Sequence, residues 1–455
     1  MERSSDAALV APCVAFVTLG CAKNEADTAR MRVRLAEAGF LIEDDPAEAD
    51  AVVVNTCSFI QSATEESIEA VFDAAGMPNV AAGAPLIVAG CMPARYGEDL
   101  ADELVEARAF VPCSREDDIA AIVADALGVD APGGGAAASV TLSASGGAAE
   151  VEGSRAALAA LPAAPFAYVK ISDGCDRFCT YCTIPYIRGR YRSFPLDDVR
   201  SDVAAQVAAG ARQIVLIAQD TGRWGADLPD GRDLAWLVDT LAEAHPDTWF
   251  RIMYLQPEGA TDELLSVMAA RENVCSYLDI PLQHVSKPIL RAMNRRGDAA
   301  AFRALIERIE AAVPDITLRT TLIAGFPGET DEQFEELLDF VSEGLFHYVG
   351  VFPYSREEGT TAFDLPNQID EDEKAERAQV LRDAADAACG PRIAERIGKG
   401  AIVLVEGTEE DGQRFGRAQC QAPEVDGVTY VSRGEIGAFV PCTIADTLLY
   451  EMEGE

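Results

Sequence analysis

Apolar positions in this chain change period several times, and those changes divide it. Up to about Val129, short apolar runs alternate with stretches of helical period. The runs Val14–Leu19, Ala51–Val54, Pro85–Ala89 and Ala109–Val111 read as strands. Helices are expected over Glu25–Ala38, up to Ala75 and over Asp117–Leu127. Ser62-Ala63-Thr64-Glu65 has the spacing of a capping box and is read as the start of the second helix. Alternation of this kind predicts a parallel sheet. Between Asp130 and Ala164 the composition turns to Gly, Ala, Ser and Pro, which predicts a poorly ordered linker.

The alternation returns from 165 to 391. Six strands are expected: Phe166–Ile171, Gln213–Ala218, Trp249–Leu255, Ser276–Ile280, Thr317–Ile323 and Tyr348–Phe352. Five helical stretches separate them, the last being Asp331–Gly344. Six such βα units fit an incomplete barrel, whose chemistry sits on the loops after strand C-termini. From 392 to 455 the runs are short and separated by turns, which predicts a small all-β barrel. The fold class is therefore α/β: an N-terminal parallel-sheet domain (1–129), a linker (130–164), an incomplete (β/α)6 barrel (165–391) and a C-terminal β barrel (392–455).

Cysteines change the picture more than composition does. Cys175, Cys179 and Cys182 lie in one loop, after the first barrel strand, with three and then two residues between them. No histidine precedes His245 and the next cysteine is Cys275, so a fourth local ligand is missing. A structural zinc site wants four protein ligands. Three soft thiolates suit an iron–sulfur cluster with one iron left open. Cys21, Cys57 and Cys91 each fall just past the end of a different parallel strand, where ligands bind in open α/β sheets. Taken alone, three small buried residues is the readier reading of them. Beside the Cys175 motif they read as a second three-thiolate site. Cys13, Cys113, Cys389, Cys420 and Cys442 carry no such spacing and are read as packing residues. His284 is read as a structural, hydrogen-bonded histidine.

Charge shifts the odds among partners. With 37 basic against 76 acidic residues the net charge is −39, a field that repels phosphate backbones. From Ile393 onward there are five basic and twelve acidic residues, so the terminal barrel suits a basic protein better than RNA. Twelve irregularly spaced cysteines do not make a secreted disulfide framework, which points to a reducing cytoplasm. Glu2, Asp6 and Pro12 spoil the signal-peptide reading of the apolar N-terminus, and no apolar run reads as a membrane span.

The CxxxCxxC loop after an apolar strand resembles the signature of the radical S-adenosylmethionine enzymes. With the three-cysteine domain before it and the β barrel after it, nearly the whole chain resembles the methylthiotransferases. Leu19-Gly20-Cys21-Ala22-Lys23-Asn24, Asn55-Thr56-Cys57-Ser58-Phe59-Ile60 and Ala218-Gln219-Asp220-Thr221 resemble the branch acting on an aspartate β-carbon of a basic small-subunit ribosomal protein. The branch acting on adenosine in transfer RNA is the alternative. Asp27-Thr28-Ala29 departs from the usual Asp-Ser-Glu. The resemblance implies two [4Fe–4S] clusters, one on Cys175, Cys179 and Cys182 and one on Cys21, Cys57 and Cys91, with S-adenosylmethionine as cofactor. It makes Tyr181 an expected cofactor contact. Gln219, Asp220, Gly325 and Glu329 are read as further cofactor contacts from their place on loops after strand C-termini, and no catalytic residue beyond the cluster ligands is assigned. The resemblance also implies an electron-donor protein and leaves direct contact with RNA open.

Overall fold

The computed structural model describes residues 11–130, 160 and 164–455. The stretch expected to be a linker lies almost wholly outside them. The chain divides into two compact units, Met1–Pro162 with Tyr186–Arg188, and Ala163–Pro185 with Gly189–Glu455.

The first unit is built on a parallel sheet of β1 (Cys13–Thr18), β2 (Leu41–Glu43), β3 (Ala51–Thr56), β4 (Leu86–Gly90) and β5 (Ala109–Pro112), in the order β2-β1-β3-β4-β5. Every residue of β3 and β4 is buried, as expected of central strands covered on both faces. The three-residue edge strand β2 was not visible in the pattern. The helix after β3 starts at Gln61, with Ile60 at its N-cap and no side-chain cap. Ser62 lies inside the first turn, so the capping box expected there does not form. The hydroxyl of Thr64 bonds Ser58 instead, at 2.8 Å. A capping box does form at Thr330 and Gln333, which open the helix Asp331–Ser342.

The second unit contains β6 (Phe166–Lys170), a two-stranded ribbon of β7 (Ser172–Asp173) and β8 (Arg192–Ser193), and then β9 (Gln213–Ile217), β10 (Trp249–Ile252), β11 (Val274–Asp279), β12 (Thr317–Ala324) and β13 (Tyr348–Pro353). The large strands form an open parallel sheet in the order β13-β12-β11-β10-β9-β6. Val169, Ile214, Leu216, Phe250, Ile252, Leu278 and Leu318 face the surrounding helices and join their apolar sides in one core. A helix over Glu371–Ala394 follows β13 and runs through Gly390-Pro391, where the sequence reading ended the barrel domain. Lys374 and Arg377 are among its buried residues. A closed barrel of β14 (Gly400–Thr408), β15 (Arg414–Ala418), β16 (Thr429–Val431), β17 (Phe439–Leu448) and β18 (Glu451–Gly454) ends the chain. The last of these strands was not expected.

The terminal barrel is joined to the parallel sheet through buried polar groups. Asp426 accepts from the Tyr277 hydroxyl at 2.5 Å and from the Ala422 N–H at 2.9 Å, and it pairs with Arg319 at 3.3 Å. Arg319 also pairs with Asp279 at 3.0 Å, and Asp279 accepts from the Tyr254 N–H at 3.2 Å. These contacts run from the barrel to the loop after β10. Burial pushes the Asp426 carboxyl up from 3.8 to about 6, against the pull of Arg319 and Tyr277. The folded state therefore holds this proton to higher pH than the unfolded chain does. That contribution is complete below pH 3.8 and is lost as pH rises through about 6. It is on the order of 3 kcal/mol. Denaturant unfolding across that window is expected to show the decline in wild type, and Asp426→Asn is expected to flatten it.

Candidate metal centres

Cys21, Cys57 and Cys91 follow β1, β3 and β4, three neighbours in one parallel sheet, so the fold gathers at one sheet end residues far apart in sequence. Cys21 is the N-cap of the helix Ala22–Glu37, and Cys91 opens the helix Cys91–Tyr96. The glycine before each of these two cysteines is required by space. A Cβ on Gly20 (φ +97°) would stand 2.6 Å from the Cys57 Cβ, and one on Gly90 (φ +93°) 2.3 Å from the Asn55 Oδ1. Ser67 fixes Cys57 by accepting its N–H at 3.0 Å and donating to its carbonyl at 2.8 Å. Burial pushes the Cys57 thiol up to about 11, and the charges of Cys91 and Cys21 add to the rise. The Cys57 sulfur is thus within electrostatic reach of both the others.

Two residues at this site escaped the sequence reading. Cys113 follows β5, and the β4–β5 register pairs Gly90 with Pro112, which sets Cys113 beside Cys91. Its thiol hydrogen-bonds Cys91 and is itself driven far up. Cys91 is pulled down to about 6, first by that bond and then by Arg188. Arg188 is the second missed residue. It lies in the segment Tyr186–Arg188 of the first unit, with its side chain 1 % exposed.

In the second unit the motif loop is held by backbone and side-chain bonds. The Cys175 N–H bonds the Gly189 carbonyl at 3.1 Å, and the Cys182 N–H bonds the Cys179 carbonyl at 3.0 Å. Asn294 donates to the carbonyls of Arg177 and Phe178. Gly174 (φ +73°) leaves no room for a Cβ, which would meet the Arg190 carbonyl oxygen at 2.2 Å. Arg295 donates to the Cys179 sulfur at 3.7 Å and is anchored by Gln256 at 2.7 Å and the Pro281 carbonyl at 2.6 Å. Burial raises the Cys175 thiol and pushes Cys182 up to about 12, with the Cys179 charge adding to both.

Among the described residues, no three Cys, His, Asp or Glu side chains are gathered closely enough to hold one metal ion. Each ligand of an iron–sulfur cube takes a different iron, so such ligands stand farther apart than those of a single ion. Two sets of three thiolates, in each of which one sulfur feels the charge of the other two, fit that donor pattern.

The expected cofactor contacts differ in what they have free. Tyr181 packs against the apolar group Ile289, Met293, Phe326, Tyr354 and Ala362. The Gln219 Oε1 is buried without a hydrogen-bond partner. Asp220 is fully buried and pairs with Arg177 at 2.6 Å. Gly325 (φ +76°) allows close approach, and the neighbour there is Lys374, whose Cγ a Cβ would meet at 2.6 Å. Glu329 accepts from Arg377 at 2.8 Å and from the Gly325 N–H at 3.1 Å, and it meets His284 Nε2 at 3.2 Å. Although burial opposes it, the bonds and charges of His284 and Arg377 hold the Glu329 carboxyl below its usual range. His284 Nδ1 accepts from the N–H groups of Val285 and Ser286, so Nε2 carries the proton shared with Glu329.

Comparison with known proteins agrees along nearly all of the chain. Residues 13–112 match the uncharacterized protein family UPF0004, residues 169–341 the radical SAM superfamily and residues 397–455 the TRAM domain. The curated protein named ribosomal protein uS12 methylthiotransferase RimO from Geotalea uraniireducens is 40% identical, over 97% of this chain and 98% of its own length. The protein of the same name from Geobacter sulfurreducens is 41% identical over the same shares. In fold, the chain is similar to the cobalamin- and [4Fe-4S]-bound radical S-adenosylmethionine methyltransferase TsrM of Kitasatospora setae. That likeness has a TM-score of 0.55 at 16% identity and covers 78% of this chain and 77% of that one. Identity of 40% and 41% over 97% of the chain, with a radical SAM match at residues 169–341, places the protein in the RimO family of radical S-adenosylmethionine methylthiotransferases.

Proposed function

We propose that this chain adds a methylthio group to ribosomal protein uS12, at the β-carbon of an aspartate. The observation that carries the reading is the match along 97% of the chain to proteins named for that activity. The acidic terminal barrel supports a basic protein substrate over transfer RNA.

The residues divide the work. Cys175, Cys179 and Cys182 hold one [4Fe–4S] cluster, and Cys21, Cys57 and Cys91 hold the other. When bound, the clusters and S-adenosylmethionine supply radical hydrogen abstraction, sulfur and methyl. The chain binds, orients and excludes water. Arg295 fixes the Cys179 side of the motif loop. Tyr181 gives an apolar wall, and the free acceptor of Gln219 is offered to a donor N–H of S-adenosylmethionine. Asp220 and Glu329 act on that site through Arg177 and through the Gly325 turn. Gly325 itself keeps the turn after β12 close against Lys374. No general base is needed for hydrogen abstraction from an unactivated carbon. An electron-donor protein would be the partner that delivers electrons to the site held by Cys175, Cys179 and Cys182. The reaction belongs in the cytoplasm, which suits twelve unpaired cysteines, and among the described residues no helix is long and apolar enough to cross a membrane.

Anaerobic reaction of the reconstituted enzyme with S-adenosylmethionine, reductant and purified uS12, followed by peptide mass spectrometry, tests this. One methylthio group on a single aspartate is expected, with transfer RNA unmodified in the parallel reaction. Modified transfer RNA and unchanged uS12 would overturn it.

A further inference from the structure

A buried arginine is costly unless its charge is used. Arg188 is 1 % exposed at the side chain, and three of its polar contacts converge on the Cys21, Cys57 and Cys91 site. Nη1 donates to Asp27 Oδ2 at 2.6 Å. Nη2 donates to Asn24 Oδ1 at 2.9 Å and to the Cys91 sulfur at 3.4 Å. Asp27 is equally buried. Asn24 cannot turn away, because its amide nitrogen donates to the carbonyls of Leu19 at 2.8 Å and Thr56 at 3.0 Å. A carboxylate thus holds a cation that bonds a cluster-ligand sulfur. Outer partners of this kind tune metal sites, and hydrogen bonds to sulfur and nearby charge set iron–sulfur potentials.

We propose that Arg188 is a positioning residue that sets the reduction potential of the cluster on Cys21, Cys57 and Cys91, through its N–H bond to the Cys91 sulfur and with Asp27 holding it in place. The inference rests on the reading of that trio as cluster ligands. A fixed cation beside the thiolate stabilises the reduced, more negative state, so its removal lowers the potential. Asp27 offsets part of that cation, so neutralising Asp27 raises it.

The test is an anaerobic redox titration of the full-length, iron-loaded protein, followed by electron paramagnetic resonance. The signal of this site is assigned with the same chain carrying Cys175, Cys179 and Cys182→Ser. Arg188→Gln is expected to shift the potential of this cluster to more negative values and leave that of the other unmoved. Asp27→Asn is expected to shift it the opposite way. An unchanged or raised potential in an iron-loaded Arg188→Gln protein overturns the proposal. If that variant does not retain the cluster, Asp27→Asn decides: a rise supports the proposal, and no change or a fall overturns it. A triple-serine chain with no iron at all would overturn the cluster reading and this inference together, whereas iron with an unmoved potential overturns only the role of Arg188.

Discussion

A Cys57→Ala chain, prepared without oxygen, is expected to go on cleaving S-adenosylmethionine to 5′-deoxyadenosine while methylthio product on uS12 falls to background. Cys57 is 6% exposed, and Ser67 fixes its backbone from both sides. Its backbone is therefore held at the sheet end, and alanine leaves no sulfur there to hold a cluster. Loss of outer partners alone costs metal sites about 10- to 100-fold. Loss of one of three ligands is expected to cost more than about 100-fold in product. The motif loop lies in the other compact unit and keeps its own bonds. Cleavage rate by chromatography and product by mass spectrometry, from the same reaction, check the split.

Cys179→Ala is expected to have the broader effect, with both cleavage and methylthio transfer lost. Iron is expected to fall by about half, because one of two similar clusters goes. Arg295 makes the loss sharper. In wild type this half-buried guanidinium has the Cys179 sulfur as a partner, along with Gln256 and the Pro281 carbonyl. In the variant its charge faces a hole. Iron assay and cleavage rate, read against Cys57→Ala, separate the two sites: both variants lose about half their iron, and only Cys57→Ala continues to cleave.

Most of this site was legible because its signals are local or tied to strand ends. The motif at Cys175 needs only one loop. Cys21, Cys57 and Cys91 needed one further step, which the strand–helix alternation supplied. Cys113 was passed over because β5 is short and its cysteine stands in no repeated Gly-Cys pair. Only the register of Gly90 against Pro112 reveals its position beside Cys91. Arg188 stood in the open as part of Arg188-Gly189-Arg190, a basic cluster in a chain of net charge −39. Which of those arginines is buried depends on long-range packing that no local pattern carries. The helix Glu371–Ala394 was missed because it buries Lys374 and Arg377 among its apolar positions and contains Pro391, so it lacks a clean apolar stripe. Glu329 and Asp220 were expected at the cofactor because they follow strand ends. The structure gives their carboxylates to Arg377, His284 and Arg177.

Mössbauer spectroscopy with iron quantitation, on wild type and on chains with Cys21, Cys57 and Cys91 or with Cys175, Cys179 and Cys182 replaced by alanine, tests the two-site claim most directly. Two [4Fe–4S] clusters are expected in wild type, with one remaining in each triple variant. A single cluster in wild type that survives loss of Cys21, Cys57 and Cys91, or zinc in place of iron, would contradict it.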